Sequence, residues 1–213
     1  MQLYSFFNSS TSYRVRIALA LKGLSYAYTG VNIRTGEQRQ PDYTRLNPGK
    51  GVPLLVDEQG NHISQSMAII QYLDDTHPQP RLIPQEPLAR ARVLEVSNLI
   101  ACDMHPVNNL RILGYLAREL GASDQQKQDW YSHWIREGFD GVEGLLERHG
   151  FGRCCFGDEP TLADVCLVPQ VANALRMNCD LSAYPRIMAI YEHCQQLPAF
   201  IQAAPANQPD VIR

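Results

Sequence analysis

The feature that most constrains this chain is a proline-rich stretch that separates two different sequence patterns. Between residues 77 and 87, prolines occupy positions 78, 80, 84 and 87. Proline fixes φ and lacks an N–H, so this density disfavours both helix and strand and indicates a linker. We therefore predict a first domain over residues 1–80, a linker over 81–87 and a second domain over 88–213.

The pattern of apolar residues changes several times before the linker. A short apolar run from Leu3 predicts a strand, and a helical pattern follows through Val15 and Leu21 and stops at Lys22-Gly23. Further strand patterns cover residues 26–33, 52–56 and 61–63, and a helical pattern covers 67–73. This order predicts an α/β domain of the form βαβ-α-ββα, with a mixed four-stranded sheet.

After the linker the strand patterns disappear. Helical patterns cover residues 88–120, 124–149, 162–176 and 185–197, so the second domain is predicted to be all-α. The third pattern follows Thr161-Leu162-Ala163-Asp164, which predicts a capping box with Thr161 as cap and Asp164 as its partner. We interpret this motif as structural.

Composition excludes several classes of function. The formal net charge is −3 and no long basic run occurs, so nothing indicates binding to nucleic acid or to an acidic membrane, and a small-molecule partner is favoured. The N-terminus lacks the features of a signal peptide and no long apolar window follows, which predicts a cytoplasmic protein. The six cysteines show no metal-ligand spacing with histidine, so we expect reduced, mostly buried thiols and no metal site.

Polar clusters occur where a strand or loop of the first domain meets the start of a helix, a place that favours anions. The first is Ser9-Ser10-Thr11-Ser12, just before Arg14. It has two interpretations: the hydroxyls cap the helix, or the hydroxyls, the helix dipole and Arg14 together stabilise a bound thiolate. The residues alone leave both open.

Two more clusters follow along the chain. Proline in Val52-Pro53 opens an apolar run, which predicts an edge position or a cis peptide bond. In either case Val52 can offer its backbone N–H and C=O to an extended peptide ligand. In Gln65-Ser66, Ser66 is either the N-cap of the next helix or, with the adjacent amides, a binding site for a carboxylate.

Together these motifs resemble cytosolic glutathione transferases over essentially the whole chain. The zeta class, which includes maleylacetoacetate and maleylpyruvate isomerases, has a serine-rich start followed by Arg-x-Arg-Ile-Ala-Leu, as in residues 9–19. Further matches are Leu46-Asn47-Pro48, Val52-Pro53, Gln65-Ser66 and the run from Thr161 to Val171. The resemblance implies a glutathione transferase fold, with a thioredoxin-like domain before the helical one, and a homodimer.

The resemblance also implies that the cofactor is reduced glutathione and that the substrate is a small unsaturated dicarboxylate. The implied catalytic residues are Ser9, Ser10, Thr11, Arg14 and Arg176. The implied glutathione contacts are Ser10, Thr11, Gln38, Val52, Pro53, Gln65, Ser66, His105, Asn109 and Arg111. We expect Arg176 to bind a substrate carboxylate, because the planar guanidinium matches a carboxylate well.

Some positions depart from the pattern of the class. Members often read Ser-Ser-Cys-Ser-Trp, whereas Thr11 and Tyr13 stand here at the cysteine and tryptophan positions, so the chemistry cannot depend on that cysteine. Thr11 and the run 102–109 match maleylpyruvate isomerases, although Asn8 stands where such relatives carry arginine. The resemblance implies cis-trans isomerisation of maleylacetoacetate or maleylpyruvate in aromatic catabolism. The alternatives are a general glutathione transferase or dehalogenating activity, and a non-catalytic binding protein.

Overall fold

The computed structural model describes residues 1–150 and 152–211. Internal contacts divide the chain into two compact units. One contains Met1–Leu82 and the chain from Gln195 onward, and the other is Ile83–Cys194. Among the described residues, no helix combines the length and the apolar character that crossing a bilayer requires.

The first unit is built on a mixed sheet with the strand order β2-β1-β3-β4. Its elements before the linker are β1 (Gln2–Ser5), α1 (Ser10–Leu21), β2 (Ala27–Gly30), α2 (Pro41–Leu46), β3 (Leu54–Val56), β4 (His62–Ser64) and α3 (Ser66–Thr76). Strand β1 pairs parallel with β2 and antiparallel with β3, and β3 pairs antiparallel with β4. Leu3 and Leu55 are partners in the sheet and both are fully buried. The predicted βαβ-α-ββα order and mixed sheet are confirmed.

The described residues of the second unit form helices and loops, with one isolated bridge between Cys154 and Gly157. The elements are α4 (Pro87–Asn98), a π-helical segment (Leu99–Met104), α5 (His105–Val107), α6 (Leu110–Arg118), α7 (Asp124–His149), α8 (Leu162–Arg176) and α9 (Pro185–Cys194). The all-α prediction is confirmed, and the bounds of α7 and α8 match the predicted ones.

Other predicted helices were too long. The pattern over 88–120 breaks after α5, where Pro106 lacks an N–H and Asn109 starts α6 by accepting a hydrogen bond from Arg111 N at 3.1 Å. The pattern over 185–197 ends at Cys194, and a separate helix, α10 (Pro198–Ala203), begins with proline at its first position.

Helix α8 begins with the predicted capping box. Thr161 Oγ1 accepts a hydrogen bond from Ala163 N at 3.3 Å, and Asp164 Oδ2 accepts from Thr161 N at 2.8 Å and Thr161 Oγ1 at 3.0 Å. Asp164 Oδ1 accepts from Cys155 N at 2.7 Å. Burial raises the pKa of Asp164, and these hydrogen bonds oppose that shift. The carboxylate is fully buried and fully engaged, as the structural interpretation expects.

All six cysteines are free, and Cys154, Cys155, Cys166 and Cys194 are buried. Of the residues that the structure describes, Cys154, Asp164 and Cys194 bring possible metal-ligand atoms within 4.8 Å of one another. Both oxygens of Asp164 already accept hydrogen bonds from the helix cap and from Cys155. The group is therefore accounted for by the capping of α8.

The segment that contains α10 packs against α1. Tyr13 donates its hydroxyl to Phe200 O at 3.3 Å, and Arg16 Nε donates to Ala203 O at 2.9 Å. The sequence placed this segment in the second domain, 88–213, because its pattern is helical. A helical pattern does not say which body a helix packs against, and the contacts of α10 place it with the first unit.

The first unit also holds the start of the linker. Lys22 Nζ donates to Asp74 Oδ1 at 2.8 Å, His77 O at 2.7 Å and Pro80 O at 2.8 Å, so all three of its protons are used. Residues 81–86 form neither helix nor strand, and α4 begins at Pro87.

Candidate functional site

A pocket in the first unit lies where three loops meet the starts of helices and strands. It contains about 270 Å³ of empty space, part of it open to solvent. Its lining residues are Thr11, Asn47, Gly49, Gly51, Val52, Pro53, Gln65 and Ser66. The structure therefore brings the three predicted polar clusters to one place, with Thr11 from the first, Val52-Pro53 from the second and Gln65-Ser66 from the third.

The hydroxyl cluster at the start of α1 forms a directed chain of hydrogen bonds. Thr11 Oγ1 lies 2.9 Å from Val52 O and 2.9 Å from Ser9 Oγ. A carbonyl oxygen only accepts, so Thr11 donates its single proton to Val52 and Ser9 donates to Thr11. Ser9 Oγ also accepts from Ser12 N at 3.3 Å as the N-cap of α1. The capping interpretation of Ser9 is confirmed, and the hydroxyl protons of Ser9 and Thr11 are used within the protein.

Other predicted site residues of this unit lie outside the pocket lining. Ser10 is the first residue of α1 and is 4% exposed. Arg14 is buried one turn further along the same helix. Gln38 is half-buried and donates its Nε2 to Ile33 O at 3.3 Å within its own loop.

The peptide bond between Val52 and Pro53 is cis, one of the two predicted arrangements. The other arrangement, an edge position, is wrong, because β3 lies between β1 and β4. Val52 O accepts the proton of Thr11, while Val52 N–H donates to nothing among the described residues. One backbone donor of the pocket is thus left for a ligand.

The start of α3 lacks a side-chain cap. Gln65 is its N-cap, with φ 70° and ψ 117°, and its side chain makes no capping hydrogen bond. Ser66 is the first helical residue, so its predicted alternative role as N-cap is wrong. The Ser66 side chain is largely buried, and its hydroxyl makes no hydrogen bond within the described part of the chain. A positive φ in a residue other than glycine costs about 1–3 kcal/mol and tends to persist where a ligand is held.

Asn47 shapes the pocket, although the sequence interpretation gave it no role. It is 3% exposed; its Oδ1 accepts from Gly49 N at 3.0 Å and its Nδ2 donates to Gly51 O at 2.8 Å. Tyr43 donates its hydroxyl to the same Gly51 oxygen at 2.6 Å. A Cβ on Gly49 would lie only 3.1 Å from Asn47 Oδ1. The signal in the sequence is the Asn-Pro-Gly-x-Gly run that precedes Val52-Pro53.

The predicted residues of the second unit lie in two places. Asn109 Nδ2 lies 3.4 Å from His105 Nε2 at the break before α6, and exposed Arg111 follows in the first turn. Arg176 is exposed at the end of α8. Its charge lowers the pKa of Tyr131 on α7, although burial, the larger effect, raises that pKa.

The break before α6 is held by α7. Trp130 Nε1 donates to Val107 O at 3.0 Å, and Asn108 Nδ2 donates to Tyr131 O at 3.1 Å. Tyr131 therefore contacts the break through its carbonyl oxygen, and the charge of Arg176 acts on its hydroxyl. None of these stabilising contacts was predicted, because they join helices that are far apart in sequence.

The sequence and the fold match known glutathione transferases. Residues 1–75 match the family described as glutathione S-transferase, N-terminal domain. The chain is 49% identical over 210 residues to a probable maleylacetoacetate isomerase of Vibrio cholerae, covering 98% of this chain and 97% of the relative. It belongs to the zeta-class family of glutathione transferases that includes the maleylacetoacetate and maleylpyruvate isomerases.

Solved structures of the same family are also similar over the whole chain. The holo structure of maleyl pyruvate isomerase, a bacterial zeta-class glutathione S-transferase, is 45% identical and superposes with a TM-score of 0.97, covering 100% of both chains. A maleylacetoacetate isomerase from Methylobacterium extorquens AM1, with bound malonate and GSH, is 33% identical with a TM-score of 0.96, again covering 100% of both chains.

Proposed function

We propose that this protein is a glutathione-dependent cis-trans isomerase that converts maleylacetoacetate or maleylpyruvate to the fumaryl isomer in aromatic catabolism. The observation that carries the proposal is the start of α3, which lacks a side-chain cap and lies in one pocket with the hydroxyl cluster of α1. The family supports the same chemistry, since relatives with this fold are named as these isomerases.

The residues of the pocket fit glutathione, which is a short peptide with free carboxylates. Val52 N–H is available to pair with a peptide backbone, as an added strand would. The Ser66 hydroxyl and the first amides of α3 suit a carboxylate, because the start of a helix favours anions. Gln65, held at positive φ, directs its exposed side chain from the same junction. The family resemblance adds Gln38, Pro53, His105, Asn109 and Arg111 as further contacts.

Bound glutathione supplies a thiolate that can add reversibly to a conjugated cis double bond. Free glutathione is mostly a thiol at neutral pH, so the protein must favour the anion. Lowering the pKa of the bound thiol by about two units corresponds to roughly 2.7 kcal/mol. Because the Ser9 and Thr11 hydroxyls use their protons internally, we assign a donor role to the Thr11 N–H at the start of α1, and the family resemblance adds Ser10 as a further candidate. Ser9 and the Thr11 hydroxyl then position this turn, and the helix dipole and Arg14 add positive potential.

Arg176 is the proposed partner of a substrate carboxylate. Arg176→Ala should raise KM for the dicarboxylate by a factor equivalent to about 1.5–3 kcal/mol while sparing glutathione affinity. Arg176→Lys should recover little, because an ammonium cannot reproduce the planar fork. An equal loss of affinity for the dicarboxylate and for glutathione would show that Arg176 does not belong to the substrate site.

The function itself is tested by following substrate and cofactor together. The purified protein is mixed with reduced glutathione and either maleylacetoacetate or maleylpyruvate, and the vinyl protons of the cis and trans isomers are followed by NMR. An isomerase converts the substrate and leaves the glutathione concentration unchanged. Consumption of glutathione with formation of a conjugate would support the transferase alternative. Absence of any reaction with both substrates would contradict the proposal.

A homodimer and a cytoplasmic location are parts of the same proposal. Sedimentation at micromolar concentration should give twice the mass of the 24.0 kDa chain. A monomer that still binds glutathione would contradict the dimer and leave the chemistry untouched.

A further inference from the structure

The turn between β1 and α1 carries the cap of the proposed thiolate site, and it is held mainly through its backbone. Phe6 O accepts from Ser9 N at 3.0 Å and from Arg16 Nη1 at 3.3 Å. Phe7 O accepts from Arg16 Nη2 at 3.0 Å, and Phe7 N donates to Asp210 Oδ2 at 3.0 Å. Two side chains, Arg16 and Asp210, therefore hold the two sides of the Phe7 backbone.

Both side chains are fixed by further contacts in the first unit. Arg16 is fully buried and also donates to Ser5 Oγ at 3.1 Å and to Ala203 O at 2.9 Å. Asp210 Oδ1 accepts the hydroxyl proton of Tyr28 at 2.6 Å. A Cβ on Gly30 would lie 3.0 Å from Asp210 Cβ, so the absence of a side chain there makes room for Asp210.

The turn leads directly to the hydroxyl chain of the pocket. Ser9 ends the turn, caps α1 and donates to Thr11, which donates to Val52 O. A shift of the Phe7 backbone would therefore move Ser9 and reorient the first turn of α1. Amide and hydroxyl donors stabilise an anion strongly only when they are held in the required direction, and a small misplacement is costly.

We propose that Asp210, 200 residues distant in sequence from Ser10, is a positioning residue for the thiolate site at the start of α1, acting through the Phe7 N–H. This inference rests on the proposed glutathione chemistry. Asp210 is not one of the residues that line the pocket, and its carboxylate accepts from the Phe7 N–H and the Tyr28 hydroxyl. Its effect on catalysis is transmitted through the turn that Arg16 holds from the other side.

The first test is Asp210→Ala in the full-length protein. The thiol of bound glutathione, titrated by its thiolate absorbance, should shift its pKa upward by about 0.5 to 1 unit. The kcat should fall several-fold near neutral pH and recover as the pH rises. The dissociation constant of glutathione should change by less than about two-fold, since Val52 and the start of α3 are unaffected. Without any ligand, the Phe7 amide should exchange its hydrogen faster.

Asp57→Ala is the matched control. Asp57 also accepts a backbone N–H, from Asn61 at 2.8 Å, and a tyrosine hydroxyl, from Tyr72 at 2.7 Å, but it lies in the β3–β4 turn. The Asp57→Ala substitution should lower the melting temperature and leave the titration of the bound thiol unchanged. Asp210→Asn should restore most of the wild-type titration, because its amide oxygen can still accept the Phe7 N–H.

Gly30→Ala provides a second route if Asp210→Ala does not fold, because the added methyl group displaces Asp210 without removing its carboxylate. It should shift the thiol pKa in the same direction. The inference is overturned if a folded Asp210→Ala or Gly30→Ala protein keeps the wild-type titration of the bound thiol, whether or not the Phe7 amide exchanges faster. If the wild-type protein itself binds no thiolate, the proposed function fails, and Phe7 exchange still tests the positioning.

Discussion

Helices α3 and α8 begin in opposite ways. At α8, Thr161 and Asp164 satisfy each other and the first amides, and Asp164 also accepts from Cys155 N. At α3, the N-cap Gln65 makes no side-chain hydrogen bond and stands at φ 70°, and the hydroxyl of Ser66 bonds to no residue that the structure describes.

The difference separates a structural motif from a binding site. A helix start needs partners for its first N–H groups. Where the chain supplies a complete capping box from its own side chains, as at Thr161 and Asp164, the cap position has no place for a ligand. Where the N-cap side chain makes no capping hydrogen bond, as at Gln65 beside the pocket, and the backbone is held in a costly conformation, an anionic ligand completes the helix. This contrast can be tested at each helix in turn.

The largest effect is expected at α8. Asp164→Ala should lower the free energy of unfolding by about 3–5 kcal/mol, because it leaves several buried donors without an acceptor. Denaturant unfolding measures it, and glutathione affinity of the folded protein should not change. Asp164→Asn keeps one oxygen acceptor and should lose less. A loss for Asp164→Ala below about 1 kcal/mol would show that the capping box is not what holds this helix start.

The next effect is expected at α3, on binding rather than on stability. Ser66→Ala should weaken glutathione binding by about 1.5–3 kcal/mol, the usual value for a hydrogen bond to a charged group. Since Ser66 is not the cap, the free energy of unfolding should change by less than about 0.5 kcal/mol. Calorimetric titration measures the affinity. Thr161→Ala is the matched control and should do the reverse, with about 1 kcal/mol of stability lost and affinity unchanged. Equal affinities for wild type and Ser66→Ala would refute the carboxylate site.

A smaller effect should reveal the strain at Gln65. Gln65→Gly should stabilise the ligand-free protein by up to about 1 kcal/mol, because glycine adopts a positive φ at lower cost. Glutathione affinity should fall at the same time, since the side chain and the fixed backbone are both lost. Thermal unfolding with and without glutathione separates the two results. If the ligand-free variant is less stable than wild type, the conformation of Gln65 is not strained.

The smallest effect concerns how α3 is held without a side-chain cap. Tyr72 on α3 and Asn61 donate to Asp57, and these bonds lower the pKa of Asp57 from 3.8 to about 2. A carboxyl group whose folded pKa is depressed stabilises the protein above its unfolded pKa and loses that contribution as the pH falls through the folded value. The stability difference between wild type and Asp57→Asn should therefore shrink between about pH 4 and pH 2. Urea unfolding at several pH values measures it; a constant difference would contradict the assignment.

Much of this fold follows from local signals in the sequence. The bounds of α7 and α8 were predicted because both helices carry a strong periodic pattern, and α8 follows a recognisable cap. The proline-rich stretch and the strand patterns were likewise sufficient to predict the order of helices and strands in the first domain. Within the site, Thr11, Val52 and Ser66 were found because each precedes or follows a helix or strand start.

What was not predicted depends on contacts between distant parts of the chain. The break at Asn108 interrupts a continuous apolar pattern, and it is held by Trp130 and Tyr131 of another helix. The direction of the proton in the Ser9–Thr11 bond is set by Val52 O, 41 residues away. A shift of one position separates Ser66 as cap from Ser66 as first helical residue, and no local propensity resolves helix ends that finely.

The hydrogen bond from Arg16 to Ala203 has a consequence for how the protein is made. The first unit is discontinuous, so a ribosome releases the sheet and α1 long before the chain from Gln195 onward exists. Domains generally fold as units during synthesis, yet the buried guanidinium of Arg16 lacks one of its acceptors until Ala203 has emerged. The first unit therefore completes its packing only after the intervening helices have been synthesised. A fragment that ends at residue 82 would lack the Ala203 acceptor for Arg16 permanently.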